Sequence, residues 1–277
     1  MDAGRIAKIM ENAEFETQAE TEADDGGNDR DFVSSLARGL EVIKAFDRQS
    51  PIMTLSAIAR KTGLTRASAR RFLLTLEKLG YVHSDSKHFE LTAKVLELGY
   101  AYLSSLAFSD LAAPYMEEIV REVQESCSAS VLVGDEIVYI ARIPTSRIMS
   151  VSLDIGTKLP AFCTSMGRVL LASLPDAQLK SILKKTSVTK RTQYTIADKE
   201  ELLTIIRGIR DDGYAIVDQE LELGLRSVAV PIIDRRGIVR AAINISAHAS
   251  RATAEEMKGR YLQVLRGAAE RICQVLP

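Results

Sequence analysis

TLSAIARKTGLTRASARRFLLTLEKLGYVHSDSKHFEL, residues 54–91, decides how this chain of 277 residues is read. Thr54 caps a helix carrying Leu55, Ile58 and Ala59, and Gly63 ends it, glycine being the residue that takes a left-handed turn without strain. Thr65 caps the next helix, which stops at Gly80. On a helical wheel Ala69, Phe72, Leu73, Leu76 and Leu79 share one side. Ala67, Arg70, Arg71, Leu74 and Lys78 share the other, with Thr65, Arg66 and Ser68 at the N-terminal end. Val82, Phe89 and Leu91 read as short strands around the turn His83–His88. With a preceding helix over 34–47, whose Leu36, Leu40, Ile43 and Phe46 fall on one face, this is a winged helix-turn-helix.

That arrangement points to double-stranded DNA. Guanidinium groups fork onto guanine or clamp phosphate, hydroxyls suit phosphate oxygens, and small Ala67 lets the backbone approach the groove. The expected contacts are Thr65, Arg66, Ala67, Ser68, Arg70 and Arg71, with Lys87 and His88 of the wing on backbone phosphate. Leu74 fits this outward face poorly: it calls for another element beside it, or for a wheel turned slightly from this one.

The formal net charge of −1 hides a segregation. Residues 11–31 hold nine acids against Arg30 alone, whereas 32–94 carry a net +6. Four regions follow: a disordered acidic tail at 1–31, the winged helix-turn-helix at 32–93, a linker and dimerisation helix at 94–108, and a second domain at 109–277. The linker stripe, Val95, Leu98, Gly99, Tyr102 and Leu106, is too narrow for a domain core and suits a dimer seam.

Beyond 109, helices alternate with hairpins: 131–143 turns about Gly134-Asp135, 148–153 adds a strand, and 214–246 holds more. Helices are expected at 165–173, 176–184 and 198–211, with Thr253-Ala254-Glu255-Glu256 capping a long last one. The class is α+β. Cys127, Cys163 and Cys273 have no metal or disulfide spacing, so no metal or cofactor is expected, and thiols in a reducing cytoplasm fit. No apolar run reaches membrane length. An enzyme built on Cys163-Thr164-Ser165 with Asp218 is the rival reading, but no histidine is placed to serve as base. A module that contacts only protein partners is a third, and the basic helix speaks against it.

The chain resembles the isocitrate-lyase-regulator (IclR) family of bacterial transcription factors over residues 33–277. The carriers are the runs 35–40, 55–59, Arg70-Arg71-Phe72-Leu73, Leu79-Gly80-Tyr81, 164–172, 217–220, 224–231 and 242–246. Within the family it is similar to the branch controlling aromatic-acid catabolism through protocatechuate, 4-hydroxybenzoate and β-ketoadipate, on Arg147 to Val151, Arg191-Thr192, Thr195-Ile196 and 218–221. The resemblance implies a GAF-like effector domain, a palindromic operator bound by a homodimer or tetramer, and RNA polymerase as a partner if the protein activates. The place of action would be the cytoplasm, at the nucleoid. Another small-carboxylate pathway is the alternative.

Carried over from the family, the effector pocket falls on Ser165, Met166, Asp218, Ser227, Asn244 and Ser246. Ser165 opens a helix whose free N–H groups attract a carboxylate, and Asn244 and Ser246 share one sheet face. Arg142 and Arg147 are the candidate cations for an aromatic or dicarboxylic acid, with Arg226 behind them. Asp218 or Glu220 is the acid that a buried Arg142 would otherwise need.

Overall fold

The computed structural model describes residues 32–99, 108–145 and 153–276. Contacts divide them into two compact units that part within the stretch between 99 and 108. The expected tail at 1–31, most of the linker helix, Arg147 and nearly all of the strand at 148–153 lie outside the described residues. Of the linker, a tight turn Ala93–Val95 and helical residues 96–99 are described.

The first unit comprises α1 (Ser34–Lys44), β1 (Ile52–Thr54), α2 (Leu55–Thr62), α3 (Arg66–Lys78), β2 (Val82–Ser84) and β3 (His88–Leu91). Thr54 and Thr65 cap α2 and α3 by accepting from the backbone N–H groups of Ala57 and Ser68. Gly63 (φ 67°) and Gly80 (φ 82°) make the left-handed exits that L-residues resist. The wing has a third strand that the sequence did not declare: β1 pairs with β3, in the order β1-β3-β2. Val42, Ile58, Leu73, Leu76, Val82 and Phe89 form the core. Three apolar assignments need correction. Leu36 (63% exposed), Leu40 (44%) and Leu79 (52%) face outward, and Val42 is the α1 residue fully buried.

The second unit is built on a six-stranded antiparallel sheet, β6-β5-β4-β9-β8-β7. Its strands are β4 (Ser126–Val133), β5 (Glu136–Ile143), β6 (Lys158–Pro160), β7 (Ala215–Asp218), β8 (Leu225–Ile233) and β9 (Val239–His248). Helix α4 (Phe108–Val123) packs on β4 and β5 and against the last helix, α8 (Leu262–Val275), which lies on β8 and β9. Helix α5 (Ser165–Ala172) contacts β8, β9, β7 and β4, with α6 (Asp176–Lys185) and α7 (Lys199–Asp212) behind it. Covering both faces explains why β8 and β9 are buried almost continuously instead of alternating. The Thr253 to Glu256 capping box forms as expected, but the helix behind it passes through a π-helical stretch, Met257–Tyr261, before α8. The α+β class and the winged helix-turn-helix both hold.

Candidate nucleic-acid interface and ligand chamber

Helix α3 carries its cations outward. Arg66, Ala67, Arg70 and Arg71 are exposed, while Ala69, Leu73 and Leu76 hold the helix to the core. Among the described residues none of these arginines has a carboxylate partner. Thr65 and Ser68 divide their work: the Thr65 hydroxyl accepts from Ser68 N at 3.2 Å and donates to Ser68 Oγ at 3.0 Å.

Lys87 is exposed in the wing turn, which is fastened by Asp85. Its carboxylate accepts from Lys87 N at 2.9 Å and His88 N at 2.6 Å. Those N–H bonds hold the Asp85 carboxyl down at about 2, and Ser86 takes a positive φ of 74° between them. Between α3 and the wing runs a cleft of about 610 Å³, lined by Arg66, Arg70 and Leu74 on one wall and Lys87 on the other. Leu74 stays 41% exposed on that wall, so the packing element expected beside it is not found among the described residues. Thr54 and Ser56 also line this cleft. They open α2, where unsatisfied N–H groups suit phosphate, and the cap residue Thr54 is the sequence signal for that helix start.

In the second unit, Ser165, Met166, Ser227, Asn244 and Ser246, five of the six residues the family resemblance named, line one chamber. Strand register does the assembling: Ser246 pairs with both Ser126 and Ser227, and Asn244 with Ser128, so cross-strand neighbours share the inner face. Tyr139, Cys163, Thr164, Val217, Leu221 and Leu225 complete the lining. Its water-accessible volume is about 20 Å³, room for roughly one water. Ser165 Oγ and Asn244 Oδ1 are buried there without a hydrogen-bond partner among the described residues. Asn244 Nδ2 donates to Ser246 Oγ at 2.9 Å, and Ser130 Oγ to Met166 Sδ at 3.3 Å. Burial pushes the Tyr139 phenol up to about 12.

Asp218 does not join them. It is register partner to Arg226, whose Nη2 it binds at 2.7 Å, while Val217 turns into the chamber. Side chains alternate along a strand, so with Val217 facing the chamber its neighbour Asp218 faces the other way. Glu220 also has its own cation. Arg168 Nη2 meets Glu220 Oε2 at 2.6 Å, and Arg168 Nε donates to Phe162 O at 2.8 Å, with both side chains buried. Glu220 Oε2 further accepts from Ile196 N, and Thr195 Oγ1 donates to Glu220 O, so the pair binds α5 to the loops beside Leu221. Arg142 is thus left without either acid the sequence offered it. It sits on the inner face opposite Ser128, outside the chamber lining, and donates to Ser128 Oγ at 3.4 Å. The serines of β4 were missed, although Ser126, Ser128 and Ser130 alternate with Cys127 and Ala129 as plainly as Asn244 does with its neighbours.

Cys163 carries no nucleophile. It is buried, and burial pushes its thiol up to about 11, away from the thiolate that attack requires.

An exposed cationic recognition helix joined in one chain to a domain enclosing a polar chamber defines a ligand-responsive DNA-binding regulator. Residues 35–86 match the IclR helix-turn-helix domain, and 100–274 match the bacterial transcriptional regulator IclR C-terminal domain. The chain belongs to the IclR family of transcriptional regulators and is not an enzyme. It is 46% identical to the Pca regulon regulatory protein of Pseudomonas putida, over 90% of this chain and 86% of that protein. It is 31% identical to the p-hydroxybenzoate hydroxylase transcriptional activator of Acinetobacter baylyi, over 87% and 91%. A solved regulator from Rhodococcus sp. RHA1, described as a transcriptional regulator, superposes with a TM-score of 0.77 at 51% identity, over 88% of this chain and 98% of that one. The inducer-binding domain of the Acinetobacter PobR transcription factor, a double mutant in complex with 3-hydroxybenzoic acid, gives 0.56 at 27%, over 60% and 97%.

Proposed function

We propose that this regulator binds a palindromic operator through Thr65, Arg66, Ala67, Ser68, Arg70, Arg71 and Lys87, and senses a small aromatic or related dicarboxylic acid of ring catabolism in the chamber. The observation that carries the ligand half is the pair of buried polar atoms, Ser165 Oγ and Asn244 Oδ1, that line one cavity and have no hydrogen-bond partner among the described residues. Buried polar groups find partners, and a polar ligand supplies them here. The aromatic class rests on the relatives, which regulate the Pca regulon and p-hydroxybenzoate hydroxylase, and on the hydroxybenzoic acid held by a related domain.

A dimer or dimer pair is the assembly proposed. Phe32, Val33, Leu36, Leu40, Leu96 and Leu98 expose apolar side chains in the DNA-binding unit, and a partner subunit would cover them. The place of action is the cytoplasm at the nucleoid, with RNA polymerase as the partner where the operator position makes the protein an activator. Among the described residues no helix is long and apolar enough to cross a membrane.

The test is calorimetry of the full chain with protocatechuate, 4-hydroxybenzoate and β-ketoadipate, beside a gel shift on the promoter next to its own gene. Binding of one acid, with a change in operator affinity, is expected. No heat with any of them removes the aromatic-acid reading, and no retardation of that promoter removes the operator reading.

A further inference from the structure

We propose that residues 20–25 of this chain occupy the cleft between α3 and the wing while no DNA is bound, and so act as a built-in brake on DNA binding. The brake rests on the operator reading above; the contact itself does not.

Charge makes the case first. The cleft offers Arg66 and Arg70 on one wall and Lys87 on the other, and none of the three has a carboxylate partner among the described residues. The segment, which lies outside those residues, reads Glu20-Thr21-Glu22-Ala23-Asp24-Asp25, four acids in six positions with no base. Blocks of like charge serve as interaction tails for an opposite surface, and this cleft belongs to the folded unit that the segment leads into.

Spacing agrees. Glu20, Glu22 and Asp24 recur at every second residue, so an extended stretch presents three carboxylates on one side, about 7 Å apart. Arg66 and Arg70 stand about 6 Å apart along the axis of α3. Two carboxylates therefore meet the two guanidinium groups in register, leaving the third for Lys87 across the cleft.

The acids already in the cleft set its polarity. Asp85 is spent on the wing turn, accepting from Lys87 N and His88 N. Glu77 lines the far end, about 10 Å along α3 from Arg70, and repels a further anion. The segment is thereby confined to the Arg66 end, the part of a recognition helix that reads base edges.

Reach is sufficient. Asp25 precedes Ser34, where α1 begins, by nine residues, and Glu20 by fourteen. Such lengths span roughly 15–22 Å, and Gly26-Gly27 opposes a reversal least. The unit to be rounded, residues 32–99, has a radius of gyration of about 11 Å. Tethering gives the acids an effective concentration on the order of millimolar at the cleft, so weak exposed ion pairs suffice. A second basic strip, Lys184, Lys185 and Lys190, lies in the other unit; the first two close α6, where cations suit the helix dipole without any partner.

The experiment acylates the full-length, DNA-free protein with an amine-reactive reagent at low salt and reads each lysine by mass spectrometry. The test variant carries Glu20→Gln, Glu22→Gln, Asp24→Asn and Asp25→Asn. A control removes the same charge from exposed positions of α7, with Glu200→Gln, Glu201→Gln, Asp211→Asn and Asp212→Asn. Lys87 is expected to label about 3-fold faster in the test variant than in wild type or control, with exposed Lys180 unchanged. The test variant should also bind a duplex of unrelated sequence about 5- to 10-fold more tightly than the control at low salt, the gain fading as salt screens the segment. Lys87 labelled equally in wild type and test variant overturns the contact. So does a rise at Lys184 and Lys185 in its place, which would seat the acids on the other unit. Equal gains in duplex affinity for test variant and control overturn the brake and leave net charge as the cause. Lys87 uncovered while neither protein retains any duplex removes the operator reading, and the brake with it, but not the contact.

Discussion

The two units use arginine in opposite ways. On α3, Arg66, Arg70 and Arg71 stand in solvent without a carboxylate among the described residues. In the second unit Arg168, Arg210, Arg226 and Arg251 are committed to Glu220, Asp176, Asp218 and Glu125, in that order. An exposed free guanidinium costs nothing to keep in water, so it can be kept for a polyanion. A buried one must be neutralised, and it then serves as a rivet. Charge alone therefore does not mark function; the absence of a partner does.

The largest effect is expected at Arg168. Arg168→Leu strands Glu220 in the interior and is expected to lower unfolding free energy by about 3–5 kcal/mol, read by urea denaturation. Pairing it with Glu220→Leu should recover most of the loss. An equally unstable double variant would show that packing, and not the ion pair, fastens this region.

Next comes Gly167, where a Cβ would overlap the Ala161 carbonyl and Thr164 Oγ1. Gly167→Ala should cost about 1–3 kcal/mol, seen as a lower melting temperature with effector affinity falling alongside it. On the exposed side, Arg70→Ala or Arg71→Ala should weaken operator binding by about 1–3 kcal/mol and flatten its salt dependence, with melting unchanged. Unaltered affinity in both would show that this face does not meet DNA.

The smallest effect is expected at Ser165, whose hydroxyl is buried and unbonded. Ser165→Ala should leave stability unchanged or raise it by up to about 1 kcal/mol, because an unsatisfied group is removed. Effector heat should fall in the same variant. Lost stability would mean the hydroxyl serves the fold.

Local signals were legible wherever a cap, a glycine and a period coincided. Thr65, Gly80 and the spacing of Ala69, Leu73 and Leu76 placed α3 almost to the residue. Leu36, Leu40 and Leu79 misled because periodicity reports an apolar stripe without saying whether the same chain covers it. In the chamber, Asn244 and Ser246 could be placed by alternation, but Asp218 could not, since a four-residue strand gives little to fix its parity. The Arg168–Glu220 pair joins positions 52 apart in sequence, and no local pattern announces such a contact.

The narrowness of the chamber has a consequence for pharmacology. If the effector enters this chamber as proposed, a guest larger than one water would have to act as a wedge, parting the first turn of α5 from the strands below it. The free energy of spreading the walls would then be taken from affinity and would supply the signal. A molecule slim enough to slip in without spreading them would occupy the seat and leave transcription untouched, and so would behave as a blocker.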